Sequence, residues 1–101
     1  MDAKDSENYN PINSWSDRES YQDRRGYVRV WVPEHPKAFK GGWYYEHRLV
    51  AERMVGRMLS RYSTVHHISR DKADNSERNL FICDETEHLK ATRSEQAIAI
   101  L

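Results

Sequence analysis

Val65-His66-His67-Ile68, a polar run over residues 69–78, and Asn79-Leu80-Phe81-Ile82-Cys83 form the stretch on which the reading of this chain turns. Residues 64–69 read as a strand and 80–83 as a short apolar strand, so the ten-residue run between them closes an antiparallel hairpin. His66 and His67 fall near the end of the first strand, and Asn79 opens the second. Asp84-Glu85-Thr86-Glu87 then supplies a helix start, with Asp84 as N-cap and Glu87 at the reciprocal position of a capping box. That helix is expected to reach about Ala97 and to carry His88 one turn in. A hairpin sets the end of one strand beside the start of the next, and the helix packs back across it. His66, His67, Asn79 and His88 can therefore converge on one small volume.

Outward from the hairpin, residues 27–32 alternate and are rich in β-branched and aromatic types, a strand entered through Gly26 and stopped by Pro33. Pro33, Pro36, Gly41 and Gly42 enclose a loop that returns into Trp43-Tyr44-Tyr45, a short second strand. Leu49, Val50, Met54, Val55 and Met58 then recur at helical spacing, predicting a helix over about residues 44–59, bent or interrupted at Gly56. Leu49, Val50, Met54 and Met58 are expected in the core, while Glu46, Arg48, Glu52, Arg53 and Arg57 are mostly free to face solvent. Cys83, on an apolar strand, is expected to be buried and inert. The fold class expected is α+β: an N-terminal strand or hairpin, a central helix, and a strand-loop-strand-helix unit.

A chain of 101 residues makes one domain at most. Residues 1–25 are polar and without apolar periodicity, and are expected to be a flexible arm, ordered locally at most around Trp15. Residues 26–101 must carry the fold, and a domain so small buries only about 60% of its unfolded surface. Charge is balanced at 16 basic against 16 acidic residues, but residues 26–101 hold 12 basic and 10 acidic. That is a modest bias towards a polyanion partner, weaker than a dedicated nucleic-acid binder often shows. The sole cysteine excludes an intrachain disulfide and a Cys-x-x-Cys zinc ribbon. No signal peptide is visible, and the longest apolar run, residues 97–101, is far too short to span a bilayer. A soluble, cytoplasmic protein without a membrane partner is expected. The apolar tail could pair two subunits into a homodimer or cover its own core.

The histidine and asparagine set suits phosphodiester hydrolysis. Water must lose a proton as it attacks, and charge building on phosphorus and on the leaving oxygen must be stabilised. A histidine, with an ordinary pKa near 6.5, can accept that proton near neutral pH if its free nitrogen faces the water. The Asn79 carbonyl, accepting from the other ring N–H of such a histidine, is assigned as the group that fixes its tautomer. One divalent cation would meet the second need, held by His66 and His88. Imidazole ligands favour Mn²⁺, Ni²⁺, Co²⁺ or Zn²⁺ in vitro, even where Mg²⁺ serves in cells. Neighbouring side chains of a regular strand point to opposite faces, so His66 and His67 can share a site only where the strand is ending or bulged.

The residues from about Gly26 to Thr92 resemble the HNH endonucleases, the ββα-metal or His-Me finger nucleases, and the subgroup found in phages and free-standing homing endonucleases in particular. The resemblance is carried by Gly26-Tyr27-Val28, His35-Pro36, Glu46-His47-Arg48-Leu49-Val50-Ala51-Glu52, Gly56-Arg57, Val65-His66-His67-Ile68, Asp71-Lys72, Asp74-Asn75, Asn79-Leu80 and His88. It implies a ββα-metal fold, His67 as general base with Asn79 as its partner, and His66 and His88 as ligands of one divalent ion. It also implies nicking or cleavage of double-stranded DNA that leaves a 5′ phosphate, and for a phage protein a partnership with the terminase. A DNA-binding or packaging accessory module that keeps the fold without catalysis is the alternative. Arg70 stands where such proteins often carry Gly, and Ser76-Glu77-Arg78 replaces a common Arg-Pro-Glu, both in the hairpin loop.

Other roles compete for several of these residues. Asn79 could cap the loop through side chain to backbone bonds, and Asn75 is read as stabilising the loop turn. His47 is expected to pack against the hairpin, and His35 to stabilise its own loop. Arg48 could reach a DNA phosphate or pair with Glu52, four residues on. Arg70, Lys72 and Arg78 are candidates for DNA-backbone contacts or are solvated.

Overall fold

The computed structural model describes residues 10–60 and 62–83. β1 (Ser20–Gln22), β2 (Val28–Trp31) and β3 (Trp43–Tyr45) form one antiparallel sheet in that order. α1 (Glu46–Val55) follows β3 without a loop. β4 (Thr64–His67) and β5 (Leu80–Cys83) pair as a second antiparallel sheet of two strands, with a 3-10 turn at Glu77–Asn79 leading into β5. α1 touches β2 and β3 of the first sheet and β4, β5 and the 3-10 turn of the second, so it is the element that joins them. The fold is α+β. The helix expected from Asp84, its His88, and the apolar tail lie outside the described residues.

β2 and β3 pair as the alternation predicts, with Val30 opposite Tyr44. Val30, Val32, Tyr44 and Leu49 form a core cluster, each at most 2 % exposed. β1 carries no apolar alternation because all three of its residues are exposed, which is why no periodicity announces it. The polar turn after it supplies the missing signal: Asp23 Oδ1 accepts from the backbone N–H groups of Arg25 and Tyr27, both at 3.0 Å, and Gly26 takes φ 96°. Such an Asx-type turn with a glycine in a positive-φ position reverses the chain into β2.

Part of the arm expected over residues 1–25 is packed on the domain, from Ile12 onward. Ile12 and Trp15 pack against the core cluster. The Arg18 guanidinium grips the Glu34 carboxylate with two nitrogens and also donates to Trp31 O at 3.3 Å. Arg53 lies over the Trp15 ring, 4.9 Å from its centroid, and donates to Asn13 O at 3.0 Å. Three scattered anchors, Ile12, Trp15 and Arg18, hold a polar segment that composition alone makes look unattached.

α1 is shorter than its apolar spacing suggests. Gly56, at φ 78°, sends its N–H back to Glu52 O at 2.8 Å and closes the helix in the left-handed conformation that glycine adopts without a Cβ penalty. The chain beyond runs irregularly, yet Met58 and Leu59 are buried at 2 % and 0 % exposure, whereas Met54, expected in the core, is 41 % exposed. Glu52, expected to face solvent, is fully buried. Its Oε1 accepts from His35 Nε2 at 2.8 Å and its Oε2 from Leu59 N–H at 3.3 Å, with the Tyr44 hydroxyl 3.5 Å away. His35 Nδ1 accepts from Lys37 N–H at 2.9 Å, so the ring proton sits on Nε2 and points at the carboxylate. The His35 ring stacks on Tyr44 at 4.0 Å. A carboxylate is tolerated there because its lone pairs are met.

Removing that acceptor strands a histidine N–H and a backbone N–H in a dry interior. Glu52→Ala is expected to cost roughly 3–5 kcal/mol in denaturant unfolding, and Glu52→Gln clearly less, because its amide oxygen can still take one of the donors.

Candidate active site

β4 and β5 set the register of the site: His66 lies opposite Phe81 and His67 opposite Leu80. β4 is regular through both histidines, and their rings leave on opposite faces. His66 is exposed, its Nε2 3.5 Å from Thr64 Oγ1, two residues back on the same face, and its ring 6.4 Å from that of Phe81. His67 turns inward, its ring centroid 5.1 Å from that of His47 and 6.2 Å from that of Tyr27. The strand ends at His67, however, and a concavity of about 390 Å³ at that end is lined by His66, His67, Ile68 and Arg70. Both histidines border this concavity although their rings leave β4 on opposite faces.

His67 Nε2 lies 2.7 Å from Asn75 Oδ1. Asn75 in turn donates its Nδ2 to Glu46 Oε1 at 2.7 Å, and Glu46 Oε2 accepts from the Trp15 indole N–H at 2.9 Å. A carboxylate oxygen offers only lone pairs, so the Asn75 amide must present nitrogen to Glu46 and oxygen to His67. His67 therefore carries a proton on Nε2, and in the neutral ring the lone pair is on Nδ1. Among the described residues no hydrogen-bond donor meets that Nδ1.

The Asn79 side chain bonds loop backbone and not His67. It is 7 % exposed, its Oδ1 accepts from Ser69 N–H at 2.9 Å, and its Nδ2 donates to Asp74 O at 2.7 Å. Its backbone carbonyl accepts from Ile68 N–H at 2.8 Å. Asn79 is a clamp across the hairpin loop, and Asn75, read from sequence as a loop residue, is the partner of His67. The reason is geometric: Asn79 leads into β5 with both ends of its amide turned to loop backbone, while the loop folds Asn75 over the imidazole. Within the loop Asp71 Oδ1 accepts from Ala73 N–H at 3.0 Å and Asp74 Oδ1 from Ser76 N–H at 3.2 Å. Arg70 has φ 71°, the one non-glycine positive φ among the described residues. A side chain in that conformation costs about 1–2 kcal/mol relative to ordinary backbone, and the clamp holds it there.

His47 fills the space behind His67. It is 7 % exposed and surrounded by the rings of Tyr27, Tyr45 and His67, at 5.3, 5.0 and 5.1 Å. Its Nδ1 is buried without a hydrogen-bond partner among the described residues. Burial pushes its pKa down to about 3, with the neighbouring His67 and Arg48 adding to the effect. A neutral ring is the form this packing admits, in keeping with the expectation that His47 packs against the hairpin.

The cations sort by exposure. Arg48, a candidate for DNA contact, is withdrawn: Nε donates to Tyr44 OH at 3.0 Å, and the terminal nitrogens to Ser63 O at 3.2 Å and Ser60 O at 3.4 Å. It fastens α1 to the chain that leads into β4 and does not bond Glu52 directly. Lys72 donates to Arg25 O at 3.0 Å and lies over the Tyr27 ring at 4.8 Å, joining the hairpin loop to the β1–β2 turn. Arg70 and Arg78 are exposed, and Arg70 lines the concavity with the histidines.

A cation would find imidazole nitrogen from His66, exposed at the rim of the concavity. His88, the other expected ligand, lies outside the described residues, and among the described residues no three His, Cys, Asp or Glu side chains gather closely enough to hold an ion alone. Among them no helix is long and apolar enough to cross a membrane. Compared with family models, with curated proteins and with solved structures, the chain matches none.

Two outcomes follow for stability. Asn79→Ala leaves the Ser69 N–H and the Asp74 carbonyl without their partner, and is expected to cost about 2–3 kcal/mol, with faster amide exchange over residues 69–75. His47 has a folded pKa below its unfolded value, so the unfolded chain takes up the proton first. Its contribution is complete above about pH 6.5 and is lost as pH falls towards about 3, with a slope of up to ~1.4 kcal/mol per pH unit. The carboxyls of Glu34, bonded by Arg18, and Asp74, bonded by Ser76, are also held below their usual range, but they act only below about pH 4.5. Unfolding free energies between about pH 6 and 4.5 should therefore fall in the native chain and fall less in His47→Phe.

Proposed function

We propose that this protein is a metal-dependent endonuclease of the HNH type that hydrolyses phosphodiester bonds in double-stranded DNA. The observation that carries the reading is the His67–Asn75 hydrogen bond, made by a histidine that also lines a concavity with His66 and Arg70. It gives an imidazole with a defined proton-bearing nitrogen and leaves the other as acceptor, which is what a general base for water requires. In this reading β4, the clamped loop and β5 are the two strands of a ββα-metal motif, and the helix expected from sequence to complete it lies outside the described residues.

In this mechanism DNA lies with a phosphate in the concavity and Arg70 against a backbone oxygen, with Arg78 and the partly exposed Lys72 on flanking phosphates. His67 Nδ1 takes a proton from water as its oxygen bonds to phosphorus. The bond from phosphorus to the 3′ oxygen breaks, leaving a 5′ phosphate on one product, and the departing 3′ oxygen takes a proton from solvent water to become the 3′ hydroxyl of the other. Asn75 keeps the ring in place as it becomes imidazolium, because its amide oxygen goes on accepting from Nε2. His66 and His88 would hold one divalent cation, Mg²⁺ in cells with Mn²⁺, Ni²⁺, Co²⁺ or Zn²⁺ as substitutes, which when bound supplies Lewis-acid stabilisation of phosphate charge. The donor chemistry of the exposed His66 imidazole suits such an ion. A phage terminase as partner and a homodimer formed through the apolar tail belong to the same reading.

Supercoiled plasmid incubated with the protein and Mg²⁺, Mn²⁺ or Ni²⁺ tests it. Nicking should fall about 10²–10⁴-fold in His67→Ala, while His66→Ala and His88→Ala should raise the metal concentration required. An unchanged rate in His67→Ala would remove the base assignment. DNA binding without cleavage under any metal would favour the accessory-module alternative.

A further inference from the structure

The bond from Asn75 to His67 has a polarity that Asn75 cannot set alone, since an amide can present either end. Two groups earlier in the chain decide it. The Trp15 indole is donor only, and the Glu46 carboxylate accepts at both oxygens, from Trp15 at 2.9 Å and from Asn75 at 2.7 Å. From the geometry we infer that Glu46, held by Trp15, is a positioning residue that dictates the His67 tautomer through Asn75. This rests on the reading of His67 as general base. It also assigns work to the N-terminal segment, because Trp15 comes from a stretch that contributes nothing else to the site.

A simpler role exists for Glu46. It sits in the first turn of α1, where a carboxylate is favourable beside the free N–H groups of the helix end. The two roles part in the variant Glu46→Gln. The new amide must still give an acceptor to the Trp15 N–H, so it turns its oxygen to Trp15 and its nitrogen to Asn75. Asn75 then swings its oxygen to that nitrogen and its own nitrogen to His67, and His67 must accept at Nε2 and carry its proton on Nδ1. The base nitrogen is lost although no group that touches substrate has changed. Adding Asn75→Asp restores the pattern: an aspartate accepts from the introduced amide on one oxygen and from His67 Nε2–H on the other.

The decisive measurement is the His67 tautomer in the full-length ¹⁵N-labelled protein, from two-bond proton–nitrogen correlation spectra at a pH where the ring is neutral. The native chain should show the proton on Nε2, Glu46→Gln on Nδ1, and Glu46→Gln with Asn75→Asp on Nε2 again. Asn75→Ala, which removes the acceptor, should show both forms. In parallel, plasmid nicking should drop about 100-fold in kcat for Glu46→Gln with little change in KM, and recover to within about tenfold in the double variant. Proton on Nε2 in Glu46→Gln overturns the proposal, as does a double variant that leaves it on Nδ1 or an Asn75→Ala protein that keeps a single Nε2–H form. A native chain without nuclease activity would count against the enzymatic reading alone, because the tautomer is read without turnover.

Discussion

A two-stranded hairpin is marginal in water by itself, and β4 and β5 have no third strand among the described residues. What gives the hairpin a defined shape is its attachment to α1, and that attachment is polar as much as apolar. Two glutamates six residues apart on the helix do opposite things. Glu52 is locked in the interior by His35 and the Leu59 amide, and fixes where the helix sits on the first sheet and on the chain that follows it. Glu46 reaches across to Asn75 and fixes where the second hairpin sits on the helix. The position of His67 relative to the rest of the molecule depends on both.

The site is also built in layers of decreasing exposure. His66 and Arg70 are open to solvent, His67 is half-buried, and His47 behind it is closed off and kept neutral by burial. The aromatic rings of Tyr27 and Tyr45 around His47 come from the β1–β2 turn and β3, so the first sheet forms the back wall behind the histidines of the second. Lys72 and Trp15 bring the loop and the N-terminal segment to the same junction. A chain this small has no separate scaffold and site; the same contacts serve both.

Much of this was legible in the chain. The strand at 80–83, the pairing of the strands around residues 30 and 44, and the histidine pair at a strand end all followed from short-range rules: alternation, turn residues and spacing. Those rules work because a strand's side-chain period and a turn's backbone angles are set by neighbours in sequence. They failed where a partner lies far along the chain. Glu46 and Glu52 look like solvent-facing residues on a helical wheel, and only residues 29 positions later and 17 positions earlier turn them inward. Arg18 looked like part of a loose arm for the same reason.

The sequence by itself determined which chemistry the chain holds: two imidazoles side by side, asparagines to bond them, and a loop of the length that closes a hairpin. Tertiary structure alone decided which asparagine does which task. Asn79, at the end of the 3-10 turn before β5, spends both ends of its amide on loop backbone, and Asn75, within the loop, takes the histidine. Spacing cannot separate the two because both lie within reach of the ring along the chain. The choice is made by the direction each side chain leaves the folded loop, and by a carboxylate that will accept only the nitrogen end of the amide.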